Sequence, residues 1–342
     1  MKKWSMIALL FAFLAGMVTG CGETRPITSN STEEKIKIVC TIFPEYDWLC
    51  QVIGEQEENF EVELLMDNGT DLHNYQPTAE DMANIAACDL LIYAGGESAV
   101  WVDDALKTVA DKDVKVLNLC EMLDGYLQEE EHIEGMADGH DHHDEDCDID
   151  EHTHESEHHH TGEIAYDEHV WLSLKNAQII VKEIEKVIEE LEPLHKEAYE
   201  ANCEAYLEQL SSLDKQFEKM AEEAKKDTIL VADRFPFLYL VKDYGIQYYA
   251  AFSGCSAETE SSFETIIFLM EKIEEYDLDT VLVIENSDHR LAETIIANTK
   301  EKNQNVLVLN SLQSITKREI ENGATYLSLM EENLEVLEKA LN

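Results

Sequence analysis

Short runs of β-branched and apolar residues alternate with helical stretches twice along this chain, and this alternation constrains the fold more than any other feature. The first series of predicted strands is Ile36–Cys40, Val62–Met66, Leu90–Tyr93 and Val114–Leu119. The second series is Thr228–Ala232, Gln247–Ala251, Thr280–Ile284 and Val306–Leu309. Strands that alternate with helices form parallel sheets of βαβ units. The sequence therefore predicts an α/β fold of two lobes, each a four-stranded parallel sheet flanked by helices.

A long amphipathic helix is predicted between the two lobes. Pro193 suits the first turn of a helix. Apolar side chains then recur on one helix face, at Tyr199, Tyr206, Leu210, Leu213, Phe217, Met220 and Ala224. A helix of about 30 residues spans roughly 45 Å, and this length favours a stiff spacer over an ordinary packed helix. We therefore divide the folded part into a first lobe at 36–192, a linking helix at 193–226 and a second lobe at 227–342.

The first 21 residues have the organisation of an export signal. Two lysines precede an apolar run from Met6 to Val18, which is short for a bilayer span. The small residues before Cys21 resemble the lipobox of bacterial lipoproteins, in which the cysteine bears the lipid. The resemblance implies an extracytoplasmic protein anchored to a bacterial cell membrane through Cys21; the alternative is a plain signal peptide. Residues 22–35 are rich in polar residues and predict a flexible tether.

The net charge of −48 excludes the classes of protein that bind nucleic acid or acidic membranes through basic faces. It fits a chain that attracts cations. The cysteines give no disulfide framework, because the seven that follow Cys21 are odd in number and widely spaced, with no CxxC pair. Three of them, Cys40, Cys88 and Cys120, lie in or beside apolar runs and are expected to be small buried hydrophobes.

Nine of the thirteen histidines lie between His132 and His160, where acidic residues alternate with them. The densest part contains His140, His142, His143, His152, His154, His158, His159 and His160. Almost no large apolar residue occurs there, so the segment cannot form a core and is predicted to be a disordered surface loop. Histidine-rich segments of this kind bind metal ions weakly and at several positions.

Two histidines outside this segment stand in more defined surroundings. His73 lies in GTDLHNYQP (69–77), just past the second predicted strand, and ligands of α/β lobes bind beyond the carboxyl ends of strands. His169 lies in DEHVWLS (167–173), directly after the histidine-rich segment. A metal-binding histidine usually has a hydrogen-bond acceptor on its other ring nitrogen, and Asp71 and Asp167 are close enough in sequence to serve.

These segments resemble the zinc- and manganese-binding solute-binding proteins of ABC transporters, the ZnuA-like cluster A-I family. His73 matches the family pattern GxDPHxYxP, with Leu72 in place of proline. His169 matches DPHxWLSP, with Glu168 and Leu174 in place of the two prolines. The opening IFPEYD (42–47) and the intervening histidine-rich segment are also similar to the zinc branch, and the resemblance covers residues 36–340.

The resemblance implies two α/β lobes bridged by one rigid helix, with a metal ion held between the lobes. It also implies a binding subunit without enzymatic activity, expected to be monomeric, that passes its ion to an ABC permease and its ATPase. Family members take a third ligand from the second lobe, at a position that Arg234 occupies here. Arginine stays protonated and cannot ligate a cation, so Arg234 is expected to pair with a spare carboxylate.

The fourth ligand of the family is an acidic residue, and Glu285 and Asp288 both match positions that the family uses. The predicted site is therefore His73 and His169 with Glu285 or Asp288, and water could complete a tetrahedral zinc ion. His289 is a further chemical possibility. The other alternative is that Asp233 or Cys255 replaces the missing ligand.

Imidazole ligands favour zinc, and a larger share of oxygen ligands favours manganese. The histidine-rich segment leads us to predict Zn²⁺, with Mn²⁺ as the alternative. Two other functions fit parts of the sequence: a zinc hydrolase with water in an open position, and a surface metal buffer or cell-adhesion protein that acts through residues 132–160. The chain lacks a serine nucleophile elbow, and its one HExxH match, HESEH (154–158), lies in the histidine-rich segment and not on a predicted helix, which disfavours the hydrolase.

Overall fold

A computed structural model describes residues 35–108, 114–136, 165–256 and 261–342. The predicted signal peptide with Cys21, nearly all of the tether and the densest part of the histidine-rich segment lie outside these residues. Among the helices within them, none combines the length and the apolar character that a bilayer crossing requires.

The first lobe is a four-stranded parallel sheet with the strand order β2-β1-β3-β4. Its strands are β1 (Ile36–Cys40), β2 (Phe60–Leu64), β3 (Leu90–Tyr93) and β4 (Lys115–Asn118). Its helices are α1 (Phe43–Ile53), α2 (Ala79–Ala87), α3 (Val100–Thr108), α4 (Leu119–Met122) and α5 (Leu174–Leu191). Side chains of β1 alternate between two cores: Ile38 and Cys40 pack on one face of the sheet and Val39 packs on the other.

The second lobe repeats this topology with the strand order β6-β5-β7-β8. Its strands are β5 (Thr228–Phe235), β6 (Gln247–Ser253), β7 (Thr280–Ile284) and β8 (Asn305–Leu309). The long helix α6 (Lys196–Glu223) precedes it, and its own helices are α7 (Leu238–Tyr244), α8 (Phe263–Glu275), α9 (Arg290–Asn298), α10 (Lys317–Glu321) and α11 (Tyr326–Leu341). The predicted fold class of two parallel-sheet lobes joined by a long helix is confirmed.

The predicted strands are all present, but several ends differ. β2 covers Phe60–Leu64 rather than Val62–Met66, since pairing with β1 begins at Phe60. β5 continues to Phe235 because its pairing with β6 resumes after a register shift between Val231 and Arg234. Such a bulge bends the strand and changes the direction of its side chains, often beside a functional site.

The linking helix α6 joins the lobes as predicted and is also packed along its length. A 3₁₀ turn, Pro193–His195, precedes it, and the helix ends at Glu223, slightly short of the predicted end. The apolar face read from the sequence is buried from Tyr199 to Met220. It packs against α1 and α5 of the first lobe and against α7 and α11 of the second. The helix is therefore a rigid link that shares its core with both lobes.

Buried hydrogen bonds also tie the two lobes together directly. The Trp171 indole Nε1 donates to the carbonyl oxygen of Ser311 at 2.8 Å. The Tyr326 hydroxyl donates to the carbonyl oxygen of Trp171 at 2.7 Å, and the Tyr326 amide donates to Asp47 Oδ2 at 3.1 Å. Tyr326 also packs edge-on against Trp48 with 4.9 Å between ring centroids. These contacts join the first lobe directly to the second.

Candidate metal centre

Two imidazole rings from distant parts of the chain meet beyond the strand ends of the first lobe. His73 lies in a 3₁₀ turn, Leu72–Asn74, and its backbone amide donates to the Asp71 carboxylate that caps the turn. His169 is fully buried and directly precedes a second 3₁₀ turn, Val170–Leu172. Their Nε2 atoms are 3.1 Å apart. Two nitrogens bound to one tetrahedral zinc ion at about 2.0–2.1 Å lie roughly 3.3 Å apart, so this separation fits joint coordination.

The other nitrogen of each ring is held by the protein. His169 Nδ1 lies 3.0 Å from Asp167 Oδ1. His73 Nδ1 lies 2.7 Å from Ser98 Oγ and 3.2 Å from Glu168 Oε1. With the Nδ1 protons donated to Asp167 Oδ1 and Ser98 Oγ, the Nε2 lone pairs of both rings point to the space between them. This arrangement of acceptors orients the two rings for a shared cation.

Asp167 therefore serves as the acceptor suggested by the sequence, but Asp71 does not. Ser98 Oγ takes that role for His73, and the Glu168 carboxylate lies next to it as an ion-pair contact. Glu168 is 1% exposed and accepts a hydrogen bond from the Ser98 amide at 3.0 Å. Gly96 permits this packing, because a Cβ atom there would come within 2.2 Å of Glu168 Oε2. Glu168 stands where the family pattern has proline, and that departure was the only sequence signal of its role.

The electrostatics of the pair are asymmetric. Burial lowers the pKa of His73, and the neighbouring His169 lowers it further. Burial acts in the same direction on His169, but Asp167 and Glu168 outweigh it and raise the pKa of that ring. Two rings this close do not both carry an extra proton, since the charges would repel each other in a buried setting. A cation between the rings would take the place of that proton.

A cysteine completes a three-residue donor group. Among the described residues, donor atoms of His73, His169 and Cys255 all lie within 4.8 Å of one another. Cys255 follows β6 in a turn of the second lobe and is half-buried, with no disulfide bond. Gly254 lets this turn approach the first lobe: a Cβ atom there would lie 2.8 Å from the Phe235 carbonyl oxygen and 3.2 Å from His169 Cε1.

Arg234 lies at the end of β5 and pairs with a carboxylate of the first lobe. Its Nη2 is 2.5 Å from Asp71 Oδ2, and both side chains are about 15% exposed. Asp233 accepts a hydrogen bond from the Arg234 amide at 2.9 Å. The guanidinium thus links the lobes beside His73. It also holds the pKa of Asp71 below its usual range, although burial acts to raise it.

The two predicted acidic ligands are not in the donor group. Glu285 follows β7, and its carboxylate accepts hydrogen bonds from the amide of Ser311 at 2.8 Å and from its hydroxyl at 2.5 Å. Burial raises the pKa of Glu285. Asp288 is exposed and pairs with Arg290 at 2.6 Å. His289 is the N-cap residue of α9 and has a positive φ of 62°. The metal-ligand roles of Glu285 and Asp288 remain predictions.

A cavity of about 390 Å³ opens between the lobes beside the imidazole pair. Asp71 belongs to its wall on the first lobe. Arg234, Glu285 and Asp288 belong to its wall on the second lobe, as does Asp233. Four carboxylates against one guanidinium favour the entry of a cation. Glu285 therefore lines this cavity, whose wall includes neither of the two histidines.

Two parallel-sheet lobes joined by one long helix, with a buried imidazole pair between them, define a solute-binding protein of the metal-receptor class. The family model for zinc-uptake complex component A, periplasmic (ZnuA), matches residues 38–340, and the chain belongs to this family. Zinc-binding lipoprotein AdcA of Streptococcus pneumoniae strain R6 is 33% identical over 340 residues, which are 99% of this chain and 61% of AdcA. The chain thus spans less than two thirds of that relative.

A second relative has nearly the same length as this chain. The high-affinity zinc uptake system protein ZnuA of Bacillus subtilis strain 168 is 29% identical over 344 residues, which are 99% of this chain and 98% of that protein. Among solved structures, the Zn(II)-bound ZnuA-like domain of Streptococcus pneumoniae AdcA superposes with a TM-score of 0.67 and 30% identity. The superposition covers 90% of this chain and 99% of that domain.

Proposed function

We propose that this protein binds one zinc ion between its lobes and delivers it to an ABC importer. The observation that carries the proposal is the 3.1 Å separation of the two Nε2 atoms, with both Nδ1 atoms held by oxygen acceptors. An imidazole pair prepared in this way favours zinc over manganese, which prefers oxygen ligands. The relatives support this choice, because AdcA is named for zinc binding and ZnuA for zinc uptake.

The proposed partners follow from the same function. An ABC permease and its ATPase would receive the ion, and the protein would act as a monomer. The lipid on Cys21 would keep it at the outer face of the cell membrane, close to that permease. The naming of AdcA as a lipoprotein supports this location.

A hydrolase requires a base positioned to activate a metal-bound water. Asp167 holds the Nδ1 atom of His169, Glu168 accepts a hydrogen bond from the Ser98 amide, and Glu285 accepts one from the Ser311 amide. Each of these carboxylates is therefore engaged in positioning. The arrangement supports stoichiometric binding and no turnover.

Deletion of residues 137–160 tests the receptor against a buffer that acts through the histidine-rich segment. The deletion starts at 137 because Met136 is packed in the core. We expect the shortened chain to keep one tight zinc equivalent and to lose only weak binding, measured by competition with a zinc chelator. Adding His73→Ala to the deletion should remove the tight equivalent. Loss of tight binding on deletion alone, with an unchanged melting temperature, would instead identify the segment as the functional site.

A further inference from the structure

We propose that Cys255 is the third zinc ligand of this protein, so that the ion is held by two imidazoles and one thiolate. This inference rests on the proposed zinc-binding function. It assigns a ligand from the second lobe to a site whose two histidines both belong to the first.

The position of Cys255 close to both histidines supports the assignment. Its sulfur lies within 4.8 Å of the donor nitrogens of both His73 and His169, and no other described residue completes a donor group with this pair. Four-coordinate zinc with three protein ligands and one open position is a common arrangement, and Cys₂His sites show that thiolate and imidazole combine there.

The loop that carries Cys255 is held against the histidines by close packing. Gly254 abuts the Phe235 carbonyl oxygen and His169 Cε1, and its Cβ position would also lie 3.3 Å from Asp167 Oδ2. Any larger residue at 254 would push the loop away from His169. The second lobe therefore reaches the imidazole pair through this turn.

The nearby carboxylates are engaged elsewhere, which leaves the third position to sulfur. Asp71 pairs with Arg234, Glu285 accepts from Ser311, and Asp288 pairs with Arg290. The Cys255 sulfur lies in a negative environment made by Glu168, Asp167 and Glu130. A divalent cation compensates this excess of negative charge.

Binding replaces one proton with the ion. Zn²⁺ forms a bond to the Cys255 sulfur, the S–H bond breaks, and the proton leaves to solvent, so charge and atoms balance. A thiolate is a soft ligand that suits zinc and not manganese. Cys255 would therefore also set the preference of the site for zinc over manganese.

X-ray absorption at the zinc edge tests the assignment on the full chain loaded with one equivalent of zinc. The parent carries Cys21→Ser and Cys147→Ser, which remove the two cysteines outside the described residues. We expect one sulfur scatterer at about 2.3 Å besides nitrogen at about 2.0 Å. Cys255→Ser should lose the sulfur scatterer and bind zinc at least about 10-fold more weakly. This is the smallest loss of affinity that removal of an outer-shell partner typically causes, and removal of a ligand should cost no less.

Cys120→Ser is the matched control, because Cys120 is half-buried and near Asp167 and Glu168 but outside the donor group. It should keep the sulfur scatterer and the affinity of the parent. Tight zinc binding by the parent without a sulfur scatterer would overturn the Cys255 assignment and leave the proposed function intact. Failure of the parent to bind zinc tightly would overturn both. If Cys255→Ser does not fold, a parent spectrum without a sulfur scatterer still overturns the assignment.

Discussion

Replacement of His169 by alanine should weaken zinc binding by at least about 100-fold, or ~2.8 kcal/mol. Loss of even an outer-shell partner typically costs 10- to 100-fold, and this change removes a proposed ligand. It also leaves Asp167 without the Nδ1 atom that it holds at 3.0 Å. The remaining imidazole of His73 would keep its contacts to Ser98 and Glu168, so the residual site has one nitrogen ligand. Chelator competition on chains of verified melting temperature measures the change.

His195→Ala is the control for this prediction. His195 also lies beside a carboxylate, with Nδ1 2.7 Å from Glu192, but it sits in the turn before α6. Its removal should leave tight zinc binding unchanged. Equal affinities of the His169→Ala chain and the parent would show that the ion binds elsewhere.

Replacement of Asp47 by asparagine should remove part of the pH dependence of stability. Asp47 is 6% exposed, and burial raises its pKa to about 6, although hydrogen bonds from the Tyr326 amide, Gln51 and Tyr206 oppose the shift. The usual value is about 3.9. The folded state thus binds more protons than the unfolded state between about pH 4 and 6, and its free energy of unfolding falls as pH rises through that window.

Between pH 4.5 and 7 this group should lower the free energy of unfolding of the parent by about 2 kcal/mol. In the Asp47→Asn chain this group does not titrate. The free energy of unfolding of that chain should therefore rise by about 2 kcal/mol relative to that of the parent over the same pH interval. Urea unfolding at several pH values measures the difference. Glu45, whose pKa burial raises to about 8, remains in both chains and cancels. Parallel pH profiles of the two chains would contradict the assignment of this titration to Asp47.

Local periodicity was sufficient to predict the fold. Alternation of strand and helix signals gave both four-stranded sheets, because a parallel sheet buried on both faces requires continuous apolar strands such as Leu90–Tyr93 and Thr280–Ile284. The positions of the strand ends were harder to predict from the sequence. The bulge after which β5 continues to Phe235 depends on pairing with β6. Such pairing joins two separate segments of the chain, so the residue periodicity within one segment does not predict it.

The residues of the candidate site that lie in recognisable sequence motifs could be predicted. His73 and His169 were found from their surroundings in the sequence, and the structure brings them together. Ser98 and Glu168 were not evident, and Cys255 was only one of two alternatives for the missing ligand, because their positions depend on the packing of separate loops through Gly96 and Gly254. The Arg234–Asp71 pair shows the same limit: the sequence predicted a carboxylate partner, and only the fold selects which one.

Anomalous diffraction at the zinc edge, from crystals of the chain loaded with one equivalent of zinc, is the most direct measurement of where the ion binds. A single strong peak bonded to Nε2 of His73 and Nε2 of His169 is the predicted result. A peak that lies away from both rings, or one confined to the histidine-rich segment, would contradict a zinc centre between the lobes.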